Sequence, residues 1–249
     1  MAFTTVFKRY ETTYLISREQ TARLTAEMAP YMTEDRYGKS VIRNIYFDTD
    51  GYRLIRRSIE RPVYKEKLRI RSYSQVGRGG TVFVELKKKY KHVVYKRRVS
   101  MPESAAMAWV CGEAECPKEG QIPGEIAYLI KYYGRLRPTV FLSYEREAYV
   151  QRDGDLRITF DQKVLARLED LSLCSPVYGE ELLDDGVVLA EIKCSGGYPL
   201  WLTDFLSREK IYKTSFSKYG RAYQSMIYPK LYNRIGEKND DRKYFQGNI

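Results

Sequence analysis

The sequence predicts an α+β fold built on about eight antiparallel strands, and three observations carry that prediction. Short segments rich in Val, Ile, Tyr, Phe and Thr alternate apolar with polar residues along most of the chain. Hairpin-length turns such as "QVGRGG" and "RDGD" separate them, which makes neighbouring strands antiparallel. The stretches with helical spacing are enough to cover one face of such a sheet. Eight antiparallel strands can also close into a barrel, with inward side chains alternating with outward ones.

The elements follow in order. Residues 5–16, "TVFKRYETTYLI", alternate and predict a strand; 17–32 predict a helix, with Ser17 as N-cap and Glu or Gln in the first turn. "SVIRNIYFDT" (40–49) is a strand ending in the turn "DTDGY", and 52–60 is a short helix before Pro62. Three closely spaced strands come next, at 64–74, 81–89 and 92–101. Residues 102–136 change character: two helical stretches edged by Pro and Gly form an α-helical insertion. Strands return at 137–150, 155–164 and 186–194, and helices at 199–209 and 217–232 close the pattern. We expect one domain over residues 1–232 and a polar tail over 233–249.

Composition narrows the chemistry. A single histidine, His92, rules out multi-histidine metal sites and argues against Ser–His–Asp and Cys–His chemistry. Cys111, Cys116, Cys174 and Cys194 have no zinc spacing and are expected to be reduced structural thiols. Any metal would be a hard ion such as Mg²⁺ or Mn²⁺, held by carboxylates and phosphate oxygens. No stretch has the length of a membrane-spanning helix and the N-terminus has no apolar signal core, so the expected compartment is the cytoplasm. The formal charge of +11 points to a polyanionic partner.

Position tells more than total charge. In "KEKLRIRSYS" (65–74), Lys65, Lys67, Arg69 and Arg71 fall on alternate residues and so share one face of a strand. The same phase recurs. Glu85, Lys87 and Lys89 oppose Val84 and Leu86; Lys96 and Arg98 oppose Val99; Arg157 and Asp161 oppose Ile158 and Phe160; Glu191 and Lys193 oppose Ile192. Two geometries explain this phase: a half-solvated sheet, or a closed sheet whose charged face lines a bore while helices cover the outside. A phosphate-binding bore would use planar Arg donors and compact Lys charges, with carboxylates to hold a divalent cation.

The segments "RYETTYLI", "IYFDT", "LRIRSY", "VFVELKKK", "YKRRVSM", "SYEREAY", "RITFD", "LAEIK" and "FSKYGRAY" run from about residue 5 to residue 230. In order and spacing they resemble the VTC domain, the polyphosphate polymerase branch of the triphosphate tunnel metalloenzymes. The resemblance implies an eight-stranded antiparallel tunnel barrel with helices packed outside. It also implies transfer of the γ-phosphoryl of ATP, or another nucleoside triphosphate, onto polyphosphate with Mn²⁺ or Mg²⁺. By position, Arg69 and Arg71 are similar to the family's R-x-R pair, Lys87 to the lysine beside Glu85, and Lys96 and Arg98 to the next basic pair. Arg146 and Arg157 fit the later hairpin's arginines, Lys193 follows Glu191, and Lys218 fits the lysine of the "SKY" helix. Glu191 resembles the metal-binding glutamate, with Glu11 and Glu85 as further carboxylates for the metal, and Arg69, Arg71, Lys87 and Glu191 are the expected catalytic set.

Two departures stand out: Thr13 and Ser215 occupy positions where the family's polymerases usually have lysines, with Lys213 near the second. Relatives in the wider superfamily hydrolyse triphosphate, so an inorganic triphosphatase and a non-catalytic polyphosphate- or triphosphate-binding module are the alternatives. Nucleic acid is not expected, because the aromatic residues are not interleaved with basic ones in an RNA-binding pattern. VTC domains often work beside membrane subunits, so the resemblance also implies a membrane-protein partner, and with it a peripheral place at the membrane.

Overall fold

The computed structural model describes residues 10–91 and 93–232; His92, the start of the first expected strand and the tail from 233 lie outside them. Eleven strands form one antiparallel sheet. Eight are long: β1 (Tyr10–Ser17), β3 (Ser40–Asp48), β4 (Tyr64–Ser72), β5 (Thr81–Tyr90), β6 (Val93–Pro102), β7 (Arg137–Gln151), β8 (Arg157–Arg167) and β10 (Val187–Cys194). Three are short: β2 (Met32–Glu34), β9 (Glu180–Glu181) and β11 (Lys213–Thr214). Hydrogen bonding runs in the order β11-β1-β10-β8-β7-β3-β4-β5-β6, with β2 on β7 and β9 on β8. The eight expected strands are therefore present as the long ones. Among the described residues no ladder joins β1 to β6, so the hydrogen-bonded sheet is open along that edge.

Six α-helices accompany the sheet: α1 (Arg18–Met28), α2 (Arg53–Ile59), α3 (Glu103–Val110), α4 (Gln121–Tyr133), α5 (Leu200–Arg208) and α6 (Lys218–Ala222). α6 continues through a π-helical turn, Tyr223–Ile227. α1 starts where the sequence signals it, with a full capping box between Ser17 and Gln20. It ends at Met28, short of the expected residue 32, because Met32–Glu34 pair with the end of β7.

The alternating pattern decides what each face of the sheet touches. Leu68, Ile70, Val82, Val84 and Leu86 are completely buried on the outer face, under Trp109 and Val110 of α3 and Ile126 and Leu129 of α4. The same face of β1, β8 and β10 gives Ile16, Ile158, Phe160 and Ile192 to Leu24 and Met28 of α1 and Leu202 and Phe205 of α5. Burying this apolar surface at ~25 cal/mol per Å² is the main favourable term. It leaves the opposite face of β4, β5, β6 and β10, and the stretches of β7 and β8 around Arg146 and Asp161, to the charged residues.

α2 and α6 occupy part of that second face. Tyr219 and Tyr223 pack on Tyr46, Val140, Leu142 and Val164, and the rings of Tyr46 and Tyr219 stack with centroids 4.8 Å apart. The anchor is Asp48, whose carboxylate is wholly buried. Oδ1 accepts the backbone N–H groups of Thr49 and Leu54 (2.8 and 2.9 Å), and Oδ2 accepts that of Ile55 (2.9 Å) and the Tyr219 hydroxyl (3.0 Å). α2 has no side-chain cap of its own at Tyr52, so Asp48 satisfies its first donors from the end of β3. Asp48→Ala strands two buried amides and should cost about 2–4 kcal/mol. Equilibrium urea unfolding measures it, and Tyr219→Phe, which removes a single bond, should cost clearly less.

Candidate functional site

The cation-bearing strands sit in a register that places their charges side by side. Across β4, β5 and β6, one row reads Arg69–Glu85–Arg98 and the next reads Lys67–Lys87–Lys96. The first row is self-neutralising and the second is three lysines abreast. Like charges directly opposite one another are destabilising, so each lysine must look elsewhere.

Glu85 organises the first row. Its carboxylate is 2% exposed; Oε2 accepts Nε and Nη2 of Arg69 (3.0 and 2.7 Å), with Arg71 Nε at 3.8 Å. Oε1 pairs with Lys96 at 2.8 Å and Arg98 at 3.2 Å. Burial alone would raise this carboxyl, but Arg69, Arg71 and Lys96 outweigh it and hold Glu85 well below the usual carboxylate range. Tyrosines brace the arginines: Arg69 donates to the Tyr46 hydroxyl (2.8 Å), Arg71 to Asn44 Oδ1 (2.8 Å) and the Tyr144 hydroxyl (2.9 Å). The Arg98 guanidinium lies 3.6 Å above the Phe83 ring and donates to the Tyr73 hydroxyl.

A second cluster forms on β7, β8, β10 and α6. Asp161, wholly buried, takes a two-pronged bond from Arg146 (2.5 and 2.6 Å) and one from Lys218 (2.5 Å). Glu191 is ringed by Lys193 at 3.0 Å, Arg146 at 3.4 Å and Lys218 at 3.7 Å. Burial would raise Glu191, yet Lys193, Lys218 and Arg146 together pull its carboxyl well below the ordinary value. The Lys218 ammonium also sits 4.4 Å above the Tyr144 ring.

The two clusters lie on one inner face of the sheet. Lys87 on β5 reaches both oxygens of Glu11 on β1 at 3.3 Å, although seven long strands separate β1 from β5 along the hydrogen-bonded path when both are counted. Only a sheet curled back toward itself allows that contact. Nine basic side chains (Lys67, Arg69, Arg71, Lys87, Lys96, Arg98, Arg146, Lys193 and Lys218) thus share this inner face with four carboxylates, Glu11, Glu85, Asp161 and Glu191. The surplus is five positive charges in a partly desolvated space. A linear polyphosphate chain complements it in charge.

Residues 8–227 match the VTC domain family. The chain belongs to that family. No curated protein matches it. Among solved structures, a candidate adenylate cyclase from Bacillus halodurans aligns over 90% of this chain and all of its own at 16% identity and a TM-score of 0.55. A second candidate adenylate cyclase, from Vibrio parahaemolyticus, aligns over 88% of this chain and 98% of its own at 10% identity and a TM-score of 0.45. The first likeness shows that this VTC domain shares that structure's α+β fold; triphosphate- or polyphosphate-related activity belongs to the VTC family.

Of the expected site residues, Arg69, Arg71, Lys87, Lys96, Arg98, Arg146, Lys193, Lys218, Glu11, Glu85 and Glu191 all meet in the bore. Arg157 stands apart: it pairs with Asp35 at 2.6 Å, and its side chain is 39% exposed at the rim. Sequence reasoning left Asn44 and the Tyr46 and Tyr144 hydroxyls out of the site, and it placed Lys67 and Asp161 on the charged faces without making either a phosphate or metal ligand. The tyrosines carry no charge signal, and only their strand phase could have found them. Lys88 pairs with Glu125 of α4 on the outer face, as Arg97 does.

The family typically uses divalent metals. Among the described residues no group of three or more His, Cys, Asp or Glu could hold an ion. Glu85 and Asp161 already spend their oxygens on cations, which makes them poor metal ligands. Glu191 and Glu11 stand on adjacent strands with Glu11 opposite Lys193, and an ion there would have to displace Lys193 from Glu191 and Lys87 from Glu11. That donor set suits a hard ion only when phosphate oxygens complete its shell.

Glu85→Gln should leave Arg69, Arg71, Lys96 and Arg98 facing one another and cost about 3–5 kcal/mol. Because the folded Glu85 value lies below the unfolded one, its stabilisation is full above about pH 4.5 and lost as pH falls toward the folded value. A urea series from pH 7 to pH 3 should show that acid loss in the wild type and a smaller one in the variant.

Proposed function

We propose that this VTC domain is a phosphotransferase of the polyphosphate polymerase type, moving the γ-phosphoryl of ATP onto the end of a polyphosphate chain. The observation that carries the reading is the surplus of basic side chains on one enclosed inner face, arranged in rows along the strands. Phosphoryl transfer asks a protein mainly for positioning and charge stabilisation. Arg69, Arg71 and Arg98, held rigid by Glu85, Asn44 and tyrosine hydroxyls, offer planar donors whose geometry is set before substrate arrives. Lys193, Arg146 and Lys218 supply charge on the facing wall, and Lys87 reaches toward it from β5.

In the reaction a terminal oxygen of the acceptor chain forms a bond to the γ-phosphorus as the bond to the β–γ bridging oxygen breaks, and ADP leaves. The acceptor oxygen is already ionised, so no general base is required. A hydrolase would need one, and Glu11, Glu85 and Asp161 are all engaged in ion pairs. That engagement favours transfer over an inorganic triphosphatase. Mn²⁺ or Mg²⁺, held through Glu191 and Glu11, would neutralise phosphate charge.

The second reading is a non-catalytic polyphosphate-binding module, which Thr13 and Ser215 favour. Thr13 lies opposite Glu191 and Thr214, so no lysine stands at that point of the wall.

Purified protein with ATP and Mn²⁺ should yield a ladder of polyphosphate on a gel, and Glu191→Ala should abolish it. Free phosphate without a ladder overturns the polymerase in favour of the triphosphatase. Polyphosphate binding without turnover overturns it in favour of the module. Arg69→Ala should weaken metal-free polyphosphate binding by about 10- to 100-fold, since a charge-assisted bond is worth ~1.5–3 kcal/mol.

A further inference from the structure

Lys67 differs from the other bore cations. Arg69, Arg71, Lys96 and Arg98 have Glu85; Lys87 has Glu11; Arg146, Lys193 and Lys218 have Asp161 or Glu191. Among the described residues Lys67 forms no ion pair within 4 Å. Its single recorded partner is the Ser217 hydroxyl at 2.7 Å, across the bore on the segment leading into α6. The row it stands in holds Lys87 and Lys96 and no anion. Lys65, next on the same face, bonds only the Ser58 carbonyl.

Both lysines line a cavity of about 860 Å³ that opens beside the bore between α2, β4 and residues 214–224. Arg61 and Arg221 line it too; Arg18 does so while paired with Asp185. Its acidic members, Glu19, Asp184 and Asp185, come from the start of α1 and from residues 182–187. None of the three is within ion-pair distance of Lys67.

We infer that Lys67, with Ser217, is an additional phosphate-binding point where the bore meets this cavity, engaging one phosphate of a bound triphosphate or polyphosphate chain. The inference rests on the polyanion reading above. It places a cation that reaches across from the opposite wall close to Ser215 and Thr214, the stretch that pairs with Thr13.

The Ser217 contact serves both states of the amine. Ser217 Oγ accepts the Gly220 amide (3.1 Å), and its hydroxyl hydrogen can point at a neutral Lys67. When charged, Lys67 donates to Ser217 and keeps two N–H groups for phosphate oxygens. The neutral state is near at hand: burial, then Lys87, Lys65 and Arg69, push its value down to about 7, opposed only by Glu11 from β1. A phosphate supplies the missing anion, so binding above pH 7 should draw a proton onto Lys67.

The test is calorimetric titration of the full chain with metal-free tripolyphosphate at pH 8, in two buffers of different ionisation heat. The wild type should bind with net proton uptake, to which Lys96, lowered to about 8, also contributes. Lys67→Met should bind about 10-fold more weakly or worse, as expected for a lost charge-assisted bond, and should melt no lower than wild type without ligand, because it relieves a row of lysines. Lys67→Arg, charged throughout, should keep its affinity and lose Lys67's share of the uptake. Unchanged affinity in Lys67→Met, or unchanged uptake in Lys67→Arg, overturns this inference alone, provided Arg69→Ala still weakens binding. A wild type that does not bind tripolyphosphate overturns the polyanion reading and this inference with it.

Discussion

Three lysines abreast on neighbouring strands, with no anion in their row, are a cost that the rest of the structure must carry. Desolvated like charges repel, and a sheet built for stability alone would alternate their signs. Here the outer face carries the fold: two apolar clusters under α1, α5, α3 and α4 hold the strands in register. The inner face can then be assembled for binding rather than for stability. Glu85, Asp161 and Glu191 each keep several cations in position and Glu11 keeps Lys87, and their number falls short of neutrality.

The two charge clusters solve that problem differently. Around Glu85 the cations are arginines stacked on or bonded to aromatic groups, and neutral phenols take up donors that carboxylates do not reach. That arrangement is stiff. Around Glu191 two of the three cations are lysines and the contacts are longer, at 3.0–3.7 Å, and Lys218 is delivered by α6 rather than by the sheet. A compact ammonium on a flexible stem can follow a moving phosphate where a guanidinium fork cannot. One wall is therefore suited to fixing phosphates and the other to adjusting to them.

Much of this was legible in the chain. The charged phase of residues 65–71, 85–89 and 96–98 survives in the structure residue for residue, because a strand's period of two is fixed by backbone geometry and burial of Ile70, Val84 and Val99 leaves no choice of face. The capping box at Ser17 worked for the same local reason. The short strands β2, β9 and β11 were not visible, since two or three residues carry no period and exist only because a long strand offers them an edge. Arg157 shares its strand's inner phase with Asp161 yet ends on Asp35, a partner 122 residues earlier in the chain that no spacing rule connects to it.

By itself, the sequence determined the eight long strands and the helices, the side of each long strand that carries charge, and the family to which that ordered set of motifs belongs. Those are consequences of local periodicity and burial. The tertiary structure decided which cations found carboxylates and which did not. It brought Lys87 to Glu11, gave Glu85 to four cations at once, and left Lys67 with a serine. Such pairings depend on strand order and curl, which bring together residues scores of positions apart, and charge at a distance leaves no imprint on local pattern.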